Sequence, residues 1–190
     1  DRRSESKTGG EQMGFEGFAL SRVDVGEATL RVRHGGSGPP LLLLHGYPET
    51  HMMWGKIAGD LAKDFTVIAP DLRGYGESTG PAATKDHETY SKRAMARDAV
   101  ALMRHFGHER FMLAAHDRGG RVGYRLALDH PGVLQKLSFK LALSAATARS
   151  HCATSWHPAA VAMPCTRAMT GTLSLWIVSI IRLHCANNFW

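Results

Sequence analysis

Carboxylates are absent from the last third of this 190-residue chain. Residues 1–129 carry 18 Lys and Arg against 17 Asp and Glu, whereas residues 130–190 carry five cations and no acid. The formal charge of +6 is therefore largely a property of the tail. Soluble domains usually have about a quarter of their residues charged, with both signs present, so a stretch without acids is unusual. No stripe of Lys and Arg interleaved with aromatics accompanies the charge, so nucleic acid is excluded as the expected partner. Cysteine is scarce too. Cys152, Cys165 and Cys185 all lie in the tail, in odd number and without a C-x-x-C pair. His157 and His184 lie nearby, but the spacings match no zinc pattern, so free thiols, no metal and a reducing, cytoplasmic compartment are expected. No apolar run reaches the ~20 residues that span a bilayer. The greasiest stretch, residues 173–183, is too short and carries Arg182, so no membrane partner is expected. The opening Asp1-Arg2-Arg3-Ser4-Glu5 has neither an initiator Met nor the apolar run of a secretory signal, and reads as the start of a fragment.

What is present suits one globular domain. Hydrophobic residues make up 44% of the chain, enough for a core without disulfides. Residues 1–14 read as a flexible lead-in. Residues 18–25 and 28–34 read as strands joined by a turn at Gly26-Glu27. Leu41-Leu42-Leu43-Leu44 and residues 65–69 are continuous apolar runs bounded by turn residues, as in strands buried on both faces of a parallel sheet. Residues 51–63, 91–106 and 118–128 read as helices. In the second, Met95, Ala99, Val100, Leu102, Met103 and Phe106 recur at helical spacing, and Gly107 stops it. Residues 110–115 read as a strand between two helices. This alternation predicts an α/β fold with a mainly parallel sheet. From Leu137 to Leu143 apolar and polar residues alternate, which predicts a two-faced strand; beyond it no period is visible.

The chemistry is expected at Ala115-His116-Asp117-Arg118-Gly119. Small residues flank a central Asp between a strand and a helix, the spacing of a nucleophile elbow, with Ala115 where Gly is usual. A carboxylate raised on such a turn can displace a leaving group from saturated carbon, forming an ester that water then hydrolyses. The plainer role for Asp117 is a helix cap, which is compatible with the first. Gly76-Glu77-Ser78-Thr79-Gly80 matches G-x-S-x-G literally, but no strand enters it and no helix leaves it, so Ser78 is not expected to be a nucleophile. Arg118 and Arg121 lie three apart on one helix face, at the end where the dipole disfavours cations. A bound anion would offset that cost, and Arg holds carboxylates bidentately. The plainer reading is two solvated arginines.

The chain resembles the α/β-hydrolases and, among them, the haloacetate (fluoroacetate) dehalogenases. The segments that carry the resemblance are His45-Gly46-Tyr47-Pro48-Glu49-Thr50 with Trp54, Asp71-Leu72-Arg73-Gly74-Tyr75-Gly76-Glu77-Ser78, Tyr90-Ser91-Lys92-Arg93-Ala94-Met95-Ala96, and His116-Asp117-Arg118-Gly119-Gly120-Arg121 running on to His130-Pro131. It covers about residues 15–137. It implies an Asp117 nucleophile, oxyanion donors at the backbone N–H of Tyr47 and Arg118, and a substrate carboxylate held by Arg118 and Arg121. Haloalkane dehalogenases and epoxide hydrolases usually have Trp where Arg118 stands, which points here to a charged small-molecule substrate. No cofactor is implied, and a homodimer is compatible. His45, Asp71, Arg73 and His116 are expected to be structural.

The resemblance also implies a base. The family's supporting Asp falls at Leu141, and its His comes after a helical cap domain that has no match here. His151, His157 and His184 stand in no matching context. Residues 138–190 are therefore expected to be a non-matching tail, from a shifted reading frame or an aberrant gene model. The hydrolase core is expected to be C-terminally truncated and capless, with turnover impaired. The alternatives are an epoxide hydrolase-like enzyme and a catalytically dead product.

Overall fold

A computed structural model of the protein describes residues 14–140, with side chains from 14 to 138. The described residues lie in the first of the two units, Asp1–Leu141 and Ala142–Trp190, into which the chain divides. The cysteines, residues 173–183, Leu141, Leu143 and the histidines at 151, 157 and 184 fall outside the described residues.

Among the described residues six strands and three α-helices alternate much as the apolar runs predict. In chain order they are β1 (Ala19–Asp24), β2 (Thr29–Gly35), β3 (Pro40–Leu44), α1 (Gly55–Leu61), β4 (Thr66–Pro70), α2 (Lys92–His105), β5 (Phe111–His116), α3 (Asp117–Asp129) and β6 (Leu134–Lys140). They form one sheet in the order β1-β2-β4-β3-β5-β6. The β1–β2 and β2–β4 pairs are antiparallel, while β4, β3, β5 and β6 run parallel. The fold class is therefore α/β with a mixed, mostly parallel sheet.

The all-leucine run is the centre of this sheet. Leu41 to Leu44 of β3 are shielded on both sides, each at most 1% exposed. Successive side chains point to opposite faces. Leu42 and Leu44 pack with Met95, Leu102, Met103 and Leu126 of α2 and α3. The crossover from β3 to β4 runs one way along the sheet, and that from β4 to β5 runs the other way. Right-handed crossovers in opposite directions put α1 on one face and α2 with α3 on the other. That is why a strand with no polar alternation suits this position: both faces are covered. Ser91 starts α2 as its side-chain oxygen accepts the Ala94 N–H at 3.1 Å.

Two details depart from the sequence expectation. The helix expected over 51–63 breaks into a 3-10 turn, His51–Trp54, and the shorter α1. Gly55 and Gly59 weaken helix propensity there. The expected two-faced strand begins earlier, at Leu134, and parallels β5. The register slips between Phe111 and Met112, which face Leu134 and Lys136, so Gln135 is the extra residue of a bulge.

Candidate active site

The site forms where the parallel strands end. β5 delivers Ala114 and Ala115 in the core, and His116, in extended conformation, takes the N-cap position of α3 without a side-chain cap bond, so Asp117 is not the helix cap. Asp117 is next, with φ of 42°, in the left-handed region. Such a conformation costs a non-glycine residue about 1–3 kcal/mol, and strain of this kind concentrates at functional sites. The turn is held down two residues later. The Gly119 N–H donates to the His45 carbonyl at 3.0 Å. A Cβ on Gly119 would stand 2.5 Å from the Leu44 oxygen and 2.6 Å from that of His45, so only glycine lets α3 rest on the end of β3. The result is a partly exposed Asp117 carboxylate at the carboxyl end of the sheet, where open α/β sheets bind ligands.

The loop after β3 closes over it. The Tyr47 N–H donates to Asp117 Oδ2 at 3.2 Å. The Arg118 N–H belongs to the first turn of α3, whose amides lack helical acceptors. His45 lies beneath, fully buried. Its Nε2 accepts the Leu72 N–H at 2.9 Å, which leaves the ring proton on Nδ1 to donate to the Gly46 carbonyl at 2.8 Å. Burial first of all depresses its basicity. Both nitrogens are thus committed to backbone, and His45 is structural as expected. His116 is more than packing: its Nδ1 faces Glu49 Oε2 at 3.2 Å.

Cations gather around the carboxylate. The Arg118 guanidinium carbon lies 4.9 Å from the Tyr47 ring centre and 5.7 Å from that of Tyr75, between two aromatic faces. Arg121 is exposed one turn further along α3. The third cation is one to which sequence reasoning gave no role. Lys92, half-buried at the start of α2, has its pKa lowered by burial and then by repulsion from Arg118 and Arg121, while Asp117 opposes the shift. Its only sequence signal is its place within Tyr90-Ser91-Lys92-Arg93. Lys92, Arg118 and Arg121 thus share the field around Asp117, an arrangement suited to an anion.

The literal serine motif is structural. The Ser78 hydroxyl donates to the Asp71 carbonyl at 2.7 Å and accepts the Arg31 N–H at 2.9 Å. Asp71 Oδ1 accepts both the N–H and the Nδ1 of His51 at 2.7 Å. Arg73 reaches beyond its own loop to the buried Asp98 and to the Thr89 carbonyl. Among the described residues no three His, Cys, Asp or Glu side chains group to hold a metal, and no helix is long and apolar enough to cross a membrane.

A strand, a strained acidic turn and a helix, with a second strand-end loop donating an N–H to that acid, define an α/β hydrolase core. The alpha/beta hydrolase fold family matches residues 39–150, and the chain belongs to it. It is 54% identical over 124 residues to a fluoroacetate dehalogenase from Burkholderia sp, covering 65% of this chain and 41% of that protein. It is 42% identical over 102 residues to a soluble epoxide hydrolase from Corynebacterium sp. (strain C12), covering 54% and 34%. The solved structure of a Nostoc sp PCC 7120 protein, described as a candidate alpha/beta hydrolase, superposes with a TM-score of 0.65 at 54% identity, over 66% of this chain and 43% of that one. The chain spans less than half the length of these relatives.

Proposed function

We propose that this chain carries the nucleophile side of a dehalogenase acting on short 2-haloacids. One oxygen of Asp117 attacks the carbon bearing the halogen. A C–O bond forms, the C–halogen bond breaks, and its electron pair leaves with the halide. Arg118 and Arg121 hold the substrate carboxylate, and the Tyr47 and Arg118 N–H groups steady the other Asp117 oxygen. Water would then cleave the ester and restore Asp117, giving up its proton to a base. Among the described residues both ring nitrogens of His45 are committed to backbone, so His45 is not that base. Where no base reaches the ester, it accumulates on Asp117.

The observation that carries this reading is Asp117 itself, held at positive φ with its carboxylate against the Tyr47 N–H. The cations around it favour a haloacid over the epoxide that the second relative's name suggests. A neutral epoxide offers nothing for Arg118, Arg121 and Lys92 to neutralise. The test is intact mass after mixing with chloroacetate or fluoroacetate. One carboxymethyl group should appear per chain, mapped to Asp117 and absent in Asp117→Asn, with one equivalent of halide released. No adduct at Asp117 would overturn the haloacid reading. Many equivalents of halide would show that a base reaches the ester. An adduct from a neutral epoxide alone would favour the epoxide instead.

A further inference from the structure

We infer that Glu49 is a positioning residue for Asp117, its carboxylate holding together the two chain segments that bring the Tyr47 N–H against the nucleophile. The inference rests on Asp117 acting as that nucleophile. Glu49 lies in the loop after β3, and its Oε2 accepts the Gly46 N–H at 3.0 Å. The same oxygen lies 3.2 Å from His116 Nδ1. Gly46 precedes Tyr47, whose N–H donates to Asp117 Oδ2 at 3.2 Å, and His116 precedes Asp117. One carboxylate oxygen therefore ties the residue before the donor to the residue before the acceptor.

The packing around it is close. A Cβ on Gly46 would stand 2.8 Å from Glu49 Oε2, 2.8 Å from His116 Nδ1 and 3.0 Å from the Asp117 Cβ. These three side chains converge on the place that glycine leaves empty, so movement of one is felt by the others. The Glu49 side chain is only 9% exposed, and its Oε1 is buried without a hydrogen-bond partner. A buried carboxylate that uses one oxygen twice and the other not at all is costly for stability alone. It is better explained by what it holds.

Loosening this clamp has two opposed effects on ester formation. A weaker Tyr47 N–H bond leaves more electron density on Asp117, which favours attack. A carboxylate free to turn loses its aim, and a misplacement of about 1 Å can cost about 10²-fold. The loss of aim is the larger effect. In single-turnover labelling with chloroacetate, Glu49→Ala should lower the limiting rate about 10- to 100-fold. The half-saturating concentration should stay unchanged, since the arginines still hold the substrate. Glu49→Gln keeps an acceptor for the Gly46 N–H and should recover the rate to within about threefold. Amide hydrogen exchange at Gly46 and Tyr47 should quicken in Glu49→Ala and return toward native in Glu49→Gln. An unchanged limiting rate, a shift in half-saturation instead, or failure of Gln to restore the rate overturns the inference. If the unmutated chain forms no adduct, the haloacid reading fails by itself. The exchange data then decide on Glu49: unchanged protection at Tyr47 in folded Glu49→Ala overturns its positioning role.

Discussion

Two aspartates stand at the same point of the two strands that flank β3: Asp71 directly after β4 and Asp117 directly after β5. Each opens a stretch rich in glycine. Asp71 is 1% exposed, and its Oδ1 accepts two bonds from His51. Asp117 is partly exposed, and the hydrogen bond its side chain makes is to the Tyr47 N–H. The two chain paths part at the next residue. At Asp117 a helix begins at once and holds the carboxylate at the carboxyl end of the sheet. After Asp71 the chain loops, and Ser78 folds back to donate to the Asp71 carbonyl. The same residue type at a strand end is a buried brace at Asp71 and the proposed nucleophile at Asp117, according to whether the following chain buries it against His51 or leaves it partly exposed.

Exchanging the two roles by mutation should give the largest effects. Asp117→Asn should remove covalent capture of chloroacetate, a loss on the order of 10⁴-fold or more, while urea unfolding stays near native. Asp71→Ala should do the reverse. It strands the His51 N–H and ring in the core and should cost about 2–3 kcal/mol in urea unfolding, with capture retained in the folded fraction. The pH dependence has a definite sign. Burial alone would raise the Asp71 carboxyl, but the His51 bonds outweigh it and its pKa lies below the ordinary carboxylate value. A depressed folded-state pKa means the unfolded chain takes up protons first as pH falls. Asp71 thus contributes stability above the ordinary carboxylate range and loses it progressively below. Stability of Asp71→Ala should fall less steeply through that acid window than that of the native chain.

The two glycine-bearing stretches can be separated in the same way. Ser78→Ala should cost about 1–3 kcal/mol, because the Arg31 N–H loses its acceptor, and should leave the rate of capture unchanged. Gly119→Ala forces a Cβ against the Leu44 and His45 carbonyls and should cost about 1–3 kcal/mol as α3 lifts. Here capture should slow as well, since Asp117 rides on that helix end. Equal effects of both substitutions on capture would erase the distinction between the two loops.

Much of this arrangement is legible from residue order. The leucine run of β3 predicts a strand covered on both faces, Ser91 marks the start of α2, and small residues around Asp117 mark the turn. These signals are local and period-bound, so a single segment suffices to read them. The contacts that build the site are of another kind. Glu49 and His116 are 67 positions apart and meet only because β3 and β5 are neighbours. No periodicity in either segment encodes that adjacency. The pairing of Asp71 with His51, and the reach of Arg73 to Asp98, depend on sheet order in the same way. The bulge at Gln135 escapes for a further reason: an extra residue disturbs the very alternation used to find the strand.

Lys92 is the sharpest case of a site residue that local reading passes over, and it supplies the smallest predicted effect. On its own helix it is a half-buried lysine behind an N-cap serine, an ordinary place for a solvated amine. Only α2 packing against α3 brings its charge within range of Arg118, Arg121 and Asp117. It makes no bidentate grip on a planar anion, as an arginine does, so its contribution is through the field. Lys92→Gln should therefore raise the half-saturating concentration of chloroacetate about 3- to 5-fold at low salt and leave the limiting rate nearly unchanged. Arg118→Gln, which removes a proposed direct ligand, should raise it by about 10-fold or more. Added salt discriminates between the two, because screening weakens a distant charge more than a contact. At about 0.5 M salt the Lys92 effect should shrink towards nothing while most of the Arg118 effect survives. A salt-resistant loss at Lys92 would make it a direct ligand of the anion. No loss at all would leave Arg118 and Arg121 as the whole of the anion site.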